Sequence, residues 1–485
     1  MLGHSTSSSV AQVHPRRSAW RITLTALITI VIAAAYIVGD IFGLVPGVLT
    51  NSSFSHYSAP QTRTAYAAAT LDGKLESGTP INSKQASDLV NTLKNAEGVG
   101  SDISAVIRDS SGSTIAQLNA TTAREPASTL KTLTAFAAAS TLDMGSTLDT
   151  KVYLVQPKGG TPQLILQGSG DMLLGAGQND TAHVNGRAGL ATLASRTMQA
   201  LHQRGISQVT LKYDDSLFGS ERMPAGIQQN DAEWRYFTPI SSMAVDGGKQ
   251  WSGTAKPSNP DNDEVYPTRS TTTAADTAKT FISSLSSAGI KVDGAATSGD
   301  APANSSPIAS VSSAKLSEIM AYMLRNSDNT EAELFGRLLA LKLDQANSTA
   351  GATAATQSVL KKDAIDTSGL HMADSSGLSP GSMVTVNTLT DVQEKLLVRG
   401  SAVAEADGLS VVGVVGTAKS RSADDSMNGL VRVKTGTLST VSAMAGNVSR
   451  IHGGALTFAV IINNGDNMWS AEQAVNAFVA ALPKL

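Results

Sequence analysis

The sequence predicts an α+β fold, an antiparallel sheet assembled from both ends of the chain and flanked by helices. Three observations predict it. Strand-like runs occur early, at 103–108 and 114–118, and again late, at 430–437, 441–448 and 455–463. Between them, 316–343 and 350–362 carry apolar residues at helical spacing. The two early runs flank Asp109, Ser110, Ser111, Gly112 and Ser113, a turn composition that signals a hairpin. Strands so far apart in sequence bury their apolar faces most simply in one sheet covered by helices.

The chain starts with a basic stretch. Arg16, Arg17 and Arg21 precede an uncharged apolar run at 22–39, and the first acid is Asp40. Eighteen such residues just suffice to cross a bilayer, with the basic flank on the cytoplasmic side. The run is expected either to anchor the protein or to be cleaved as a signal after Ala33, Ala34 and Ala35. Residues 40–80 carry Pro, Ser, Thr and Gly without periodicity and read as a linker. A short helix is expected at 86–93, then the hairpin, then an Ala/Leu-rich helix from Ser128 to about Leu142. The segment 146–310 mixes short β-like runs (152–155, 163–166, 208–213) with one helical stretch at 190–204, and closes in a Ser/Thr/Ala-rich patch at 268–313. A helix at 471–482 ends the chain.

Composition excludes more than it assigns. A net charge of −3 with mixed signs leaves no basic footprint for nucleic acid. Cysteine is absent, which removes disulfides, thiolate nucleophiles and cysteine metal sites. The seven histidines show no metal-binding spacing, and no dinucleotide or P-loop fingerprint occurs. No metal or organic cofactor is expected.

Three short motifs carry chemistry. Ser128 and Lys131 stand three apart at the head of a helix, on one face, so the ammonium reaches the hydroxyl. A serine there is ordinarily an N-cap, but a lysine inside an apolar helix is not ordinary. Burial would lower its pKa and make it a base. Ser327, Asp328 and Asn329 interrupt the helical stretch at 316–343. They read either as a capping turn or as a hydroxyl and an amide pointing into a cleft, with Ser327 passing a proton between Lys131 and a leaving group. Lys434, Thr435, Gly436 and Thr437 lie on a strand. Gly436 weakens a strand and marks the close approach of a ligand backbone, and Lys434 with the threonines would bind a substrate carboxylate. The amides of Ser128 and Thr437 could form an oxyanion hole.

Competing matches fail. Ser-x-x-Lys recurs at 312–315 and 358–361, and Ser-x-Asn at 426–428, but only the Ser128 set leaves each motif on its own element. Gly377, Leu378, Ser379, Pro380 and Gly381 match a nucleophile elbow, yet Pro380 has no N–H for the oxyanion.

With these residues the chain resembles the penicillin-binding proteins of the D-alanyl-D-alanine carboxypeptidase/endopeptidase type (peptidase family S13, class C low-molecular-mass). The likeness extends to Arg124, Glu125, Pro126 and Ala127 before Ser128. It includes Thr330, Glu331, Ala332 and Glu333 after Asn329, the stretch Asp374, Ser375, Ser376, Gly377, Leu378 and Ser379, and the Gly168, Ser169, Gly170, Asp171 turn. It implies a β-lactamase/transpeptidase-like catalytic domain formed by 81–145 and 311–485, with a mainly β accessory domain at 146–310 between the first and second motifs. It implies a serine DD-peptidase of the cell envelope that cleaves the D-Ala-D-Ala bond of peptidoglycan stem peptides through an acyl-enzyme and is inhibited by β-lactams. Ser128, Lys131, Ser327 and Asn329 would be catalytic, and Lys434, Thr435, Gly436 and Thr437 would bind substrate. The alternatives are a β-lactamase-like hydrolase and a non-catalytic wall-binding scaffold.

Overall fold

The computed structural model describes residues 16–41 and 78–485, apart from 263, 399 and 401. Helix α1, Arg16–Ile41, belongs to a unit that ends at Lys74. The expected membrane-spanning run falls inside it, but among the described residues no helix is long and apolar enough to cross a membrane.

The second unit begins with α2 (Ser83–Lys94), the hairpin β1 (Ile103–Asp109) and β2 (Thr114–Leu118), and α3 (Lys131–Thr141). Next come β3 (Thr147–Val155), β4 (Gln163–Gly168), β5 (Asp171–Leu174), α4 (Leu190–His202), β6 (Gln208–Asp214), β7 (Met243–Val245) and α5 (Thr273–Ser287). The short β8 (Lys291–Val292) and β9 (Thr297–Ser298) lead to β10 (Ala309–Lys315), α6 (Leu316–Asn326), α7 (Asn329–Lys342), α8 (Thr349–Lys362), α9 (Val386–Leu397) and α10 (Val403–Gly408). The chain ends with β11 (Ser410–Val411), β12 (Val431–Leu438), β13 (Val441–Ser449), β14 (Ala455–Asn463) and α11 (Met468–Ala481).

The first sheet runs β11-β12-β13-β14-β1-β2, antiparallel throughout, so the early hairpin pairs with the last strand. Ile103 faces Ile462 and Ile107 faces Phe458. Side chains alternate across a strand, and here both faces are covered. Ile103, Ala105, Ile107, Phe458, Val460 and Ile462 pack against α2 and α11, while Val106, Ala459 and Ile461 join the core around α3. Two covered faces explain why β14 reads as a nearly unbroken apolar run.

Residues 147–315 build a second sheet, β10-β3-β4-β6-β8, antiparallel from β10 to β4 and parallel beyond. This segment, expected to be mainly β, carries α4 and α5 on its sheet as well. Helix α5 lies in the Ser/Thr/Ala-rich patch, where no helix was expected. Its stripe, Ala274, Ala278, Phe281 and Leu285, is buried among weakly apolar neighbours. Phe218, Ile240 and Ala244 from the same segment enter the core around α3. The Gly168 turn is tight: a Cβ there would lie 2.1 Å from the Ser242 carbonyl oxygen, which accepts the Gly170 amide at 2.7 Å.

Candidate active site

The nucleophile candidate sits on a short 3-10 turn, Ala127–Leu130, that runs into α3. No side chain caps that turn, so Ser128 is not spent on the helix end. Ala127 holds φ +48°, an uncommon conformation for a residue with a Cβ. The approach to the turn is clamped by Asn463 at the end of β14, which accepts from the Glu125 amide and donates to its carbonyl, both at 3.0 Å. The first sheet therefore fixes where Ser128 stands.

Helix α3 is buried from Lys131 through Ala139, and its alanines admit α7 and α8 at close range. Lys131 is fully buried, with Nζ 2.9 Å from Ser128 Oγ, 2.7 Å from Asn329 Oδ1 and 2.9 Å from the Ser376 carbonyl oxygen. Burial pushes its pKa down to about 8 against the opposing pull of Asp374, Asp328 and Glu333. Two of the three partners can only accept from the amine. A neutral amine has two hydrogens, so both are used on Asn329 and Ser376, and the lone pair is left facing Ser128 Oγ.

The second motif is both a turn and a wall of the site. Ser327 ends α6 in the left-handed conformation, φ +57° and ψ +34°, and Asp328 caps α7 by accepting the Glu331 amide at 2.9 Å. Asp328 also pairs with buried Arg269 at 3.2 Å. The reversal of direction brings Asn329 to Lys131, while Asn329 Nδ2 donates to the Tyr236 carbonyl at 2.9 Å. The Ser327 hydroxyl meets Lys434 Nζ at 3.0 Å, so its lysine neighbour is Lys434, not the expected Lys131.

Strand β12 differs from the sequence expectation in two respects. A Cβ on Gly436 would lie 2.7 Å from the Pro126 carbonyl oxygen and 3.2 Å from the Ser128 amide, so the glycine admits the nucleophile's own backbone and not a ligand's. Lys434 is fully buried and donates to Ser327 Oγ and, at 2.8 Å, to the Thr435 carbonyl. Burial, with Lys131 and Arg421 nearby, holds its pKa well below the usual value. A cavity of about 680 Å³ opens in front of these groups, lined by Ser128, Ser327, Asn329, Thr435 and Thr437, but not by Lys434 among the described lining residues.

Arg421 was not legible in the sequence. It follows a Gly/Ser/Thr-rich loop without any motif, yet it lines the cavity and donates to Thr437 Oγ1 at 3.0 Å while pairing with Glu472 at 2.8 Å. Tyr236, Tyr266 and Asn230, from the 147–315 segment, form the opposite wall. The decoy serines lie elsewhere: Ser312 on β10 bonds Asp149 of β3, and Ser358 bonds the Ala355 carbonyl of α8. Among the described residues no cluster suited to a metal ion occurs.

Comparison with known proteins gives the family of the chain. The model of the D-Ala-D-Ala carboxypeptidase 3 (S13) family matches residues 85–266 and 257–482. Carboxypeptidase DacB of Mycolicibacterium smegmatis is 29% identical over 468 residues, 95% of each chain. A carboxypeptidase of Mycobacterium tuberculosis is 31% identical over 362 residues, 71% of this chain and 73% of its own. Among solved structures, penicillin binding protein 4 of Haemophilus influenzae shares the fold with a TM-score of 0.67 at 21% identity, covering 84% of this chain and 100% of that one.

Proposed function

The chain belongs to the D-Ala-D-Ala carboxypeptidase 3 (S13) family and is a serine-type D-Ala-D-Ala carboxypeptidase, and from that premise we propose how its residues divide the work. It acts on peptidoglycan in the cell envelope. Ser128 Oγ attacks the carbonyl of the penultimate D-Ala as the neutral amine of Lys131 takes its proton. The tetrahedral oxyanion is held by the amides of Ser128 and Thr437. Ser327, polarised by Lys434, hands a proton to the departing amine and takes back the one Lys131 removed from Ser128, so the amine is neutral again when water releases the acyl group by the same route. Asn329 keeps the Lys131 lone pair on the nucleophile. Thr435, Thr437 and Arg421 hold the carboxylate of the leaving residue, and Lys434 supports them through field and hydrogen bonding from behind the strand.

The observation that carries this reading is the threefold contact of Lys131, with one short bond to Ser128 and two to obligate acceptors. A β-lactam presents a strained amide and a carboxylate in similar relation, so it should acylate Ser128 and stay. The deciding experiment is mass spectrometry of the protein mixed with penicillin, and separately with a D-Ala-D-Ala peptide, for wild type and Ser128→Ala. One adduct and D-Ala release in the wild type only are expected. An adduct on Ser128→Ala would overturn the assignment. Rapid loss of the adduct, without peptide turnover, would favour a β-lactamase.

Two further proposals concern the rest of the chain. Residues 146–310 are an inserted accessory domain that lends walls to the cavity, and swapping its 227–238 loop should alter peptide preference while sparing acylation by penicillin. The basic flank and the run at 22–39 direct export, so fusing residues 1–50 to a reporter active only outside the cytoplasm should give activity, and a silent fusion would refute it.

A further inference from the structure

Of the segment 374–379 only the Ser376 carbonyl has entered the chemistry so far, yet the whole loop packs on the base and on the turn that carries the nucleophile. Asp374 is fully buried. One carboxylate oxygen accepts from the amides of Ser376 at 3.0 Å and Gly377 at 2.6 Å. The other accepts from Ser376 Oγ at 2.7 Å and from the amides of Leu378 at 3.2 Å and Ser379 at 2.9 Å. Four consecutive amides thus point inward at one side chain, more than a helix cap uses, and with Ser376 Oγ they put five donors on its two oxygens.

With the amides turned inward, the carbonyls face outward onto α3. The Ser375 carbonyl accepts Thr134 Oγ1 at 2.7 Å, and the Ser376 carbonyl accepts Lys131 Nζ at 2.9 Å. Lys131 and Thr134 are three apart, on one face of the helix, so two successive carbonyls grip that face. Glu333 of α7 accepts the Ser375 amide and closes the arrangement from behind. Gly377, at φ +82°, lies so near the residue before Ser128 that a Cβ would sit 2.0 Å from the Ala127 carbonyl oxygen. The loop therefore abuts the nucleophile's turn and bonds the base.

We propose that loop 374–379 is a positioning device for the general base: Asp374 gathers the loop's amides so that the Ser376 carbonyl takes one hydrogen of Lys131 and leaves its lone pair on Ser128 Oγ. The proposal rests on Lys131 being the base. Asp374 and Ser376 are positioning residues, since neither lines the substrate cavity among the described lining residues. The charged groups acting on Lys131 are Asp374 of the loop, Asp328 at the head of α7 and Glu333 of α7, and Lys434 of β12 feels its charge in turn. Asp374 is the first of the charges that favour the ammonium.

The test is the pH dependence of penicillin acylation in Asp374→Asn. The amide keeps the shape, cannot accept at all five donors and carries no charge. Two effects of opposite kind are expected together. The plateau rate falls, on the order of 100-fold for a base misplaced by about an ångström. The ascending limb moves to lower pH, because a charge that favoured the ammonium is gone. The limb reports the lost charge and the plateau reports the position of the base; a purely structural role would lower thermal stability and leave the plateau of the folded protein in place. If Asp374→Asn does not fold, Ser376→Ala removes one of the two groups that share the Leu378 amide and should lower the plateau about tenfold at unchanged KM. A wild-type plateau with an unmoved limb would overturn the proposal, provided Lys131→Ala is inactive. Activity in Lys131→Ala would instead overturn the assignment of the base.

Discussion

The neutral form of Lys131 should set the rate of acylation, and the structure gives the size of the effect. Burial brings its pKa from 10.5 down to about 8. At pH 7 roughly one molecule in ten then carries a neutral amine, against about three in ten thousand for an ordinary lysine, a gain of about 300-fold or roughly 3 kcal/mol. Since only the neutral amine accepts the Ser128 proton, the second-order acylation rate should climb about tenfold per pH unit up to near pH 8 and level off above it. Stopped-flow fluorescence with a labelled penicillin between pH 5.5 and 9.5 measures this directly. Lys131→Arg, which never deprotonates, should lose the limb and at least about a thousandfold of the rate, because nucleophile and base act as one unit. A wild-type rate that is flat from pH 6 to 9, or a limb that survives in Lys131→Arg, would refute the reasoning.

Arg421→Ala should raise KM by about 10- to 100-fold for peptides with a free carboxylate, the worth of a hydrogen bond to a charged group. The same change should alter little for the corresponding amides, and equal losses on both would reject its role. Gly436→Ala should slow acylation by on the order of 100-fold, because the new methyl displaces the Ser128 turn by a fraction of an ångström to an ångström. A normal rate would mean the turn gives way freely. Glu405 is fully buried in α10, and neither carboxyl oxygen has a hydrogen-bond partner among the described residues. Burial holds its pKa well above the usual value. Glu405→Met should therefore raise stability by about 1–3 kcal/mol, seen as a higher denaturant midpoint, and a lower midpoint would show an unseen partner. Glu333, raised to about 8, and Asp171, raised to about 7, both bind their protons more tightly when folded. Their contribution is complete below about pH 4 and is lost as pH rises through 7 to 8, at up to about 1.4 kcal/mol per pH unit for each group. Thermal denaturation from pH 5 to 8.5 should show that decline, and Glu333→Gln should flatten its upper part.

Much of this was legible because it depends on local pattern. Strands β12 and β14 declare themselves by β-branched residues between turns, and the three motifs by residue types rarely assembled for any other reason. What stayed hidden depends on tertiary placement. Gly436 was read as making room for a ligand, but only the packing of β12 on the Ser128 turn shows whose backbone it admits. Lys434 was read as a cation for the substrate carboxylate, because a sequence does not reveal that its strand faces a lysine already buried on α3. Arg421 carries no motif, and its place in the cavity follows from a loop whose path is set by contacts to β12 and α11. Helix α5 escaped notice because serine and threonine separate its few apolar positions and mask their spacing.

The pairing of β1 with β14 fixes the order in which the molecule can become itself. The hairpin that precedes Ser128 finds its sheet partner only in residues 455–463, near the far end of the chain. A chain emerging from synthesis or from a translocation pore thus carries its nucleophile for more than 300 residues with no strand to dock on. The Lys131–Asn329 contact, spanning 198 positions, adds a second distant closure. Closing such loops is slow relative to forming local helices. Fragments released early, or chains stalled in transit, should accordingly be inert, since they lack β14 as the partner of β1. Truncation before residue 455 should leave no partial activity, whereas joining the two termini and opening the chain at a surface loop should yield a protein that assembles its sheet sooner.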